Sequence, residues 1–162
     1  MGLSPQAGRI SKTKVSHQNN GACEKCAEIF AAYPHVYTPL LSWFKIIQAK
    51  FPSFHTSCAG RGREAQEMAF ANHASNARWT ESSHNYNAAF DGWFLINGLY
   101  NGNLRNTDKE LHDLYLQVYP EIPDYVVWYG YPGAKFYEMA HYEIRDWKDK
   151  VDRGVLDLVE PT

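Results

Sequence analysis

Apolar side chains first fall into a clear period at Leu40, Trp43, Phe44 and Ile47, the i, i+3, i+4, i+7 spacing of one helix face. Thr38 is placed to cap that helix, Pro39 suits its first position, and Pro52 stops it. A shorter helical segment near Glu24 to Tyr33 precedes it. Ser53 to Cys58 reads as a strand, and Arg63 to about His73 as a helix with Ala65, Met68 and Ala69 on one face. The pattern then changes. Ala88 to Ile96 is rich in aromatic and branched residues and runs into Asn97-Gly98, a hairpin turn signal. Thr107 and Glu110 form a capping box for a helix with the stripe Leu111, Leu114, Tyr115 and Val118, ending before Pro120. Tyr125 to Tyr129 and Ala140 to Ile144 read as two further strands. Helices followed by an antiparallel sheet predict an α+β fold, N-terminal helices packed on a small antiparallel sheet. No internal repeat or low-complexity tract interrupts it.

Composition narrows the class. A chain of 162 residues with 44% hydrophobic residues and a mean hydropathy of -0.50 can bury roughly 70% of its unfolded surface without a disulfide or metal. Sixteen basic against 18 acidic residues argue against a nucleic-acid partner. No apolar run approaches the length of a membrane span, and the first 20 residues lack the apolar stretch of a secretory signal. Three cysteines cannot complete a disulfide framework, so synthesis in a reducing compartment is expected. Residues 1–20 read as a basic flexible arm carrying Arg9, Lys12 and Lys14 without an acid, and 21–162 as a single domain.

Candidate chemistry concentrates in Ser82-Ser83-His84-Asn85-Tyr86-Asn87-Ala88-Ala89-Phe90-Asp91 and in Glu138-Met139-Ala140-His141. Two imidazoles and one carboxylate suit zinc with a fourth position open to water, and a second carboxylate outside that set can take the water's proton. On one helix, His84 and Asp91 would be separated by about 10.5 Å of rise, too far for one metal. On one regular strand their odd separation would point them to opposite faces. His84 is therefore expected on a loop, Asp91 in the strand that follows, His141 on the last strand, and Glu138 on the turn entering it. An isolated H-x6-D pair or E-x-x-H tetrapeptide would be unremarkable among seven histidines. Their joint placement at strand edges is more specific.

These residues resemble the zinc D-alanyl-D-alanine carboxypeptidases and L-alanyl-D-glutamate endopeptidases that cut peptidoglycan stem peptides, small phage endolysins among them. The family's S-x-H-x-x-G-x-A-x-D is matched by Ser82, His84, Ala89 and Asp91, and its closing E-x-x-H by Glu138 and His141. A G-x-R-x4-Q element is matched by Gly60, Arg61 and Gln66. The resemblance spans about 35–145. It implies one zinc per chain held by His84, Asp91 and His141, Glu138 as catalytic base, and Arg61 facing the substrate or transition state. Ser82 and Gln66 are then groups that orient the site or touch the ligand. Two departures stand out: Asn87 replaces the motif glycine, a position where asparagine tolerates left-handed backbone, and Arg63 is a second candidate for the functional arginine.

The expectation is a zinc peptidase acting on peptidoglycan as a monomer. It would be made in a host cytoplasm and reach the wall through a membrane lesion opened by another protein. A D,D-carboxypeptidase and a non-catalytic zinc-bearing envelope-binding or virion module are the alternatives. Cys23-Glu24-Lys25-Cys26 with His17, and Cys58 or His35 as a fourth ligand, makes a small structural zinc site conceivable, but a single C-x-x-C favours two ordinary thiols. Trp128, Tyr129, Tyr131 and Tyr137 are expected either to line a groove or to pack in the core.

Overall fold

The computed structural model describes residues 16–19, 23–96, 99–100, 109–131, 133–134 and 138–160. Of the expected features, Asn97-Gly98, Thr107 and Tyr137 lie outside these residues, as does most of the 1–20 arm. Helix α1 (Glu24–Ala31) is capped by Cys23, and α2 (Thr38–Lys50) buries Leu40, Trp43, Phe44 and Ile47 as its period requires. Thr38 does not cap α2. Tyr37 holds that position, its carbonyl accepting from the amides of Leu40 and Leu41, and Thr38 already belongs to the first turn. Strand β1 (Phe54–Cys58) leads to α3 (Arg63–Ala71) and a 3-10 turn at Ser83–Tyr86. Then come β2 (Ala89–Ile96), β3 (Leu99–Tyr100), α4 (Lys109–Val118), β4 (Val126–Tyr129), β5 (Glu138–Ile144) and α5 (Trp147–Asp152). None of the described helices is long and apolar enough to cross a membrane.

The strands form an α+β sheet in the order β1-β2-β5-β4, every pair antiparallel, with β3 folding back on β2. Alternation along the two central strands sorts their side chains. Phe90 and Phe94 of β2 and Tyr142 and Ile144 of β5 are buried on the face packed against the helices. There Phe90 stacks on Tyr142 with centroids 5.2 Å apart, Phe44 meets Phe90 edge-on, and Tyr115 of α4 meets Phe94 edge-on. The Tyr115 hydroxyl donates to the Gly92 carbonyl at 2.8 Å. A Cβ at Gly92 would lie 2.3 Å from the Phe54 ring, so only glycine lets the aromatic layer close over the middle of β2.

Helix α3 departs from its expected face. Ala65 and Met68 are exposed, and the buried residue of the helix is Gln66. A fully hydrogen-bonded amide can replace an apolar stripe as the inward-facing group, and hydrophobic spacing does not register it. Trp128 belongs to the core, and Tyr131 packs against it.

Asn87 ends the 3-10 turn in the left-handed region, at φ 60° and ψ 23°. Asn87→Gly and Asn87→Ala both lose the side-chain bond to the Asp157 carbonyl, 3.2 Å long, so their difference isolates the backbone. We expect the alanine variant to be less stable than the glycine variant by about 1–2 kcal/mol in urea unfolding. Equal midpoints would show that the left-handed conformation carries no cost here.

Candidate metal centre

On the sheet face opposite the aromatic layer, Asp91 of β2 and His141 of β5 are direct cross-strand partners. His84 reaches them from the 3-10 turn. Ser82 caps that turn: its Oγ accepts from the His84 amide at 3.3 Å, while its own amide donates to Asn85 Oδ1 at 3.1 Å. The three side chains converge. His84 Nε2 lies 3.0 Å from Asp91 Oδ1 and 3.1 Å from His141 Nδ1, and His141 Nδ1 lies 3.5 Å from Asp91 Oδ1. Ligands about 2.0–2.2 Å from a tetrahedral zinc are spaced about 3.3 Å apart, so the donor set and its spacing fit that ion.

The opposite ring atoms fix which nitrogens face inward. His84 Nδ1 donates to the Ala59 carbonyl at 3.0 Å, and His141 Nε2 donates to Glu143 Oε1 at 2.7 Å. Glu143 also accepts from Ser83 Oγ at 3.1 Å. Such outer partners orient a ligating imidazole and raise its basicity. Glu143 was missed in the motif, although two residues along a strand from His141 it must share that residue's face.

The trio opens onto a cleft of about 800 Å³ whose lining includes Arg61, Trp93, Tyr129, Glu138, Glu143 and Trp147. Glu138 is exposed at the first position of β5 rather than on a preceding turn. Three residues from His141, it would face the other side of a regular strand. The β4–β5 register, however, jumps between Trp128↔Tyr142 and Tyr129↔Glu138. That irregularity re-aims the strand, and both residues border the cleft. Trp128 Nε1 donates to the Met139 carbonyl within it, at 2.7 Å.

Arg61 also borders the cleft, its Nη2 3.8 Å from Asp91 Oδ2. Arg63 instead lies over the Trp79 ring and is not part of the lining. Gln66 positions Arg61. Its Oε1 accepts from Arg61 Nη1 at 3.3 Å and Asn85 Nδ2 at 3.2 Å, and its Nε2 donates to Ser75 Oγ at 3.1 Å and the Ala77 carbonyl at 2.6 Å. With all four bonds made inside the protein, Gln66 has no capacity left for a ligand.

Electrostatics couples the trio. Burial opposes a charge on His84, but the Asp91 carboxylate outweighs it and pulls the imidazole up to about 10. Burial likewise acts against the charge on Asp91, yet the two imidazoles hold its carboxyl well below the usual range. His141 is raised, burial being outweighed by its bonds to Asp91 and Glu143. The carboxylate makes this pocket a strong cation site, for which protons and a metal compete.

Neither a protein-family model nor a curated protein sequence matches the chain. Its fold is similar to that in the solved structure of the Serratia marcescens L-Ala D-Glu endopeptidase ChiX. The match has a TM-score of 0.55 and 16% identity, covering 76% of this chain and 90% of that one. At this identity the likeness is one of fold: helices on an antiparallel sheet.

Proposed function

We propose that this protein is a zinc peptidase that hydrolyses an amide bond in peptidoglycan stem peptides, the L-alanyl-D-glutamate bond, in the role of a phage endolysin. The convergence of His84 Nε2, Asp91 Oδ1 and His141 Nδ1 within 3.5 Å at the wall of an open cleft carries this reading. The fold likeness to an L-Ala D-Glu endopeptidase supports the choice of bond.

His84, Asp91 and His141 would hold the zinc, which supplies Lewis acidity toward a carbonyl oxygen and makes a nearby water more acidic. The chain's own groups do the rest. Glu138, exposed at the cleft, accepts the proton of the attacking water and returns it to the leaving amine. Arg61, held by Gln66, binds a substrate carboxylate or the oxyanion that develops as the carbonyl is attacked. Glu143 and the Ala59 carbonyl keep the two imidazoles aimed. Trp93, Tyr129 and Trp147 give the cleft aromatic faces against which a stem peptide packs.

Mass spectrometry of muropeptides released from purified sacculi tests the bond directly. We expect fragments with a new amino terminus on D-glutamate. Release of terminal D-alanine from a free pentapeptide would replace this reading with a D,D-carboxypeptidase, and metal-loaded protein that cuts neither would make it a binding module.

Variants separate the roles. Glu138→Gln should keep its metal and lose at least about 10²-fold in activity, whereas His84→Ala, Asp91→Ala and His141→Ala should each lose one metal equivalent together with activity. An active Glu138→Gln would show that Glu138 is not the base.

Metal binding should also depend on pH. Because His84 and His141 titrate above their ordinary value, a metal entering near neutral pH must displace protons. Affinity should therefore rise from about pH 6 to about pH 9 for the equivalent that His84→Ala removes. Calorimetry in two buffers of unlike ionisation heat reads the released protons, and an affinity flat with pH would contradict the coupling.

A further inference from the structure

A second group of donors lies apart from the cleft. His17, from the segment before α1, meets Cys23 at the cap of α1, Cys26 in its first turn and His55 on β1. One donor atom from each lies within 4.8 Å of all the others. His17 Nδ1 is 3.3 Å from Cys23 Sγ and 3.4 Å from Cys26 Sγ, and His55 Nδ1 is 3.4 Å from Cys26 Sγ. A tetrahedral zinc with bonds of about 2.3 Å to sulfur and about 2.0 Å to nitrogen spaces such pairs about 3.5 Å apart.

We propose that His17, Cys23, Cys26 and His55 form a second, structural zinc site, which fastens the segment before α1 to strand β1. Three features beyond spacing support it. The sulfurs are set in N–H donors: the amides of Gln18 and Cys26 donate to Cys23 Sγ, and the Thr56 amide and Gln48 Nε2 donate to Cys26 Sγ, at 3.3–3.4 Å. N–H groups directed at sulfur are outer partners that hold a ligating side chain in its orientation. His55 Nε2 donates to Asn19 Oδ1 at 2.7 Å, which leaves the lone pair of Nδ1 facing Cys26.

Closure is the third. Cys23, Cys26 and His55 are almost fully buried, and none of the four residues lines the cleft. Four protein ligands without an open position describe a structural rather than a catalytic centre, and the S2N2 set selects zinc over hard cations. His55 is the fourth member of the group, where the sequence suggested Cys58 or His35. The Cys58 thiol donates to the Gly60 carbonyl instead.

The test uses the full chain, purified under reduction, with thiol titration to establish that the cysteines are not oxidised. We expect two metal equivalents by elemental analysis. Exchange with cobalt should bring thiolate-to-cobalt charge-transfer absorption and the intense visible bands of a tetrahedral site. Cys26→Ser should abolish the charge-transfer band and remove one equivalent, while His84→Ala keeps the band and removes the other. The wild-type spectrum alone decides the matter if the cysteine variants fail to fold. Reduced protein without thiolate charge transfer would overturn the proposal, as would a band that survives Cys23→Ser/Cys26→Ser. Either result leaves the peptidase reading standing, and a thiolate band in a protein without peptidase activity would leave only this one.

Discussion

The site depends first on the register between β2 and β5. That pairing sets Phe90 opposite Tyr142 and Asp91 opposite His141. Because side chains alternate, the first pair is committed to the aromatic core and the second to the cleft. A slip of one residue would exchange them, placing a carboxylate and an imidazole beneath the helices and two aromatic rings in solvent. The stacked rings thus hold the register that the polar pair needs. The burial that stabilises the fold and the convergence that makes the centre are consequences of one alignment.

Among the described residues, two ladders depart from that regular sheet, both beside the site. The β1–β2 ladder carries an extra residue between Thr56 and Cys58, opposite the stretch that includes Asp91, and the β4–β5 ladder is irregular between Trp128 and Tyr129. The second irregularity lets Glu138 and His141 share a cleft despite their odd separation. The Trp128 indole satisfies the Met139 carbonyl inside it, so the distortion leaves that buried acceptor paired. On the other side of the centre, Gln66 ties Arg61, Asn85 and the 75–77 loop into one network. Aim and rigidity come from the same bonds.

Much of this was legible in the sequence, for reasons that also mark its limits. The stripe of α2 has one partner surface and a clean period, so spacing alone located it. His84 could be assigned to a loop and Asp91 to the strand after it because helix rise and strand parity excluded one shared element, and His141 to the last strand from the pattern of Ala140 to Ile144. Helix α3 misled because its inward residue is an amide whose burial depends on partners as distant as Ala77 and Asn85. Glu143 escaped notice because a glutamate two places from a histidine looks like an exposed strand residue until its bond to that ring is seen. His55 escaped notice because the strand pattern of β1 does not say which of its side chains turns toward α1, and it is the packing of α1 against β1 that brings His55 rather than Cys58 to Cys26.

The spacing of the two donor groups along the chain also bears on the order in which they can assemble. His84 and His141 are 57 residues apart, and their meeting requires β2 and β5 to be paired already. Long-range pairing of this kind pays its loop-closure entropy before any contact rewards it. The cleft centre therefore has no means of nucleating the chain; it is a late product of sheet closure. Three of the four donors in the cysteine group, by contrast, fall between residues 17 and 26, close enough to gather on a stretch of chain that has not yet found its sheet. The compact donor set thus needs only one short stretch of chain and one strand, whereas the dispersed set exists only when β2 and β5 are paired, so that a chain whose cleft residues have met is one whose central sheet is complete.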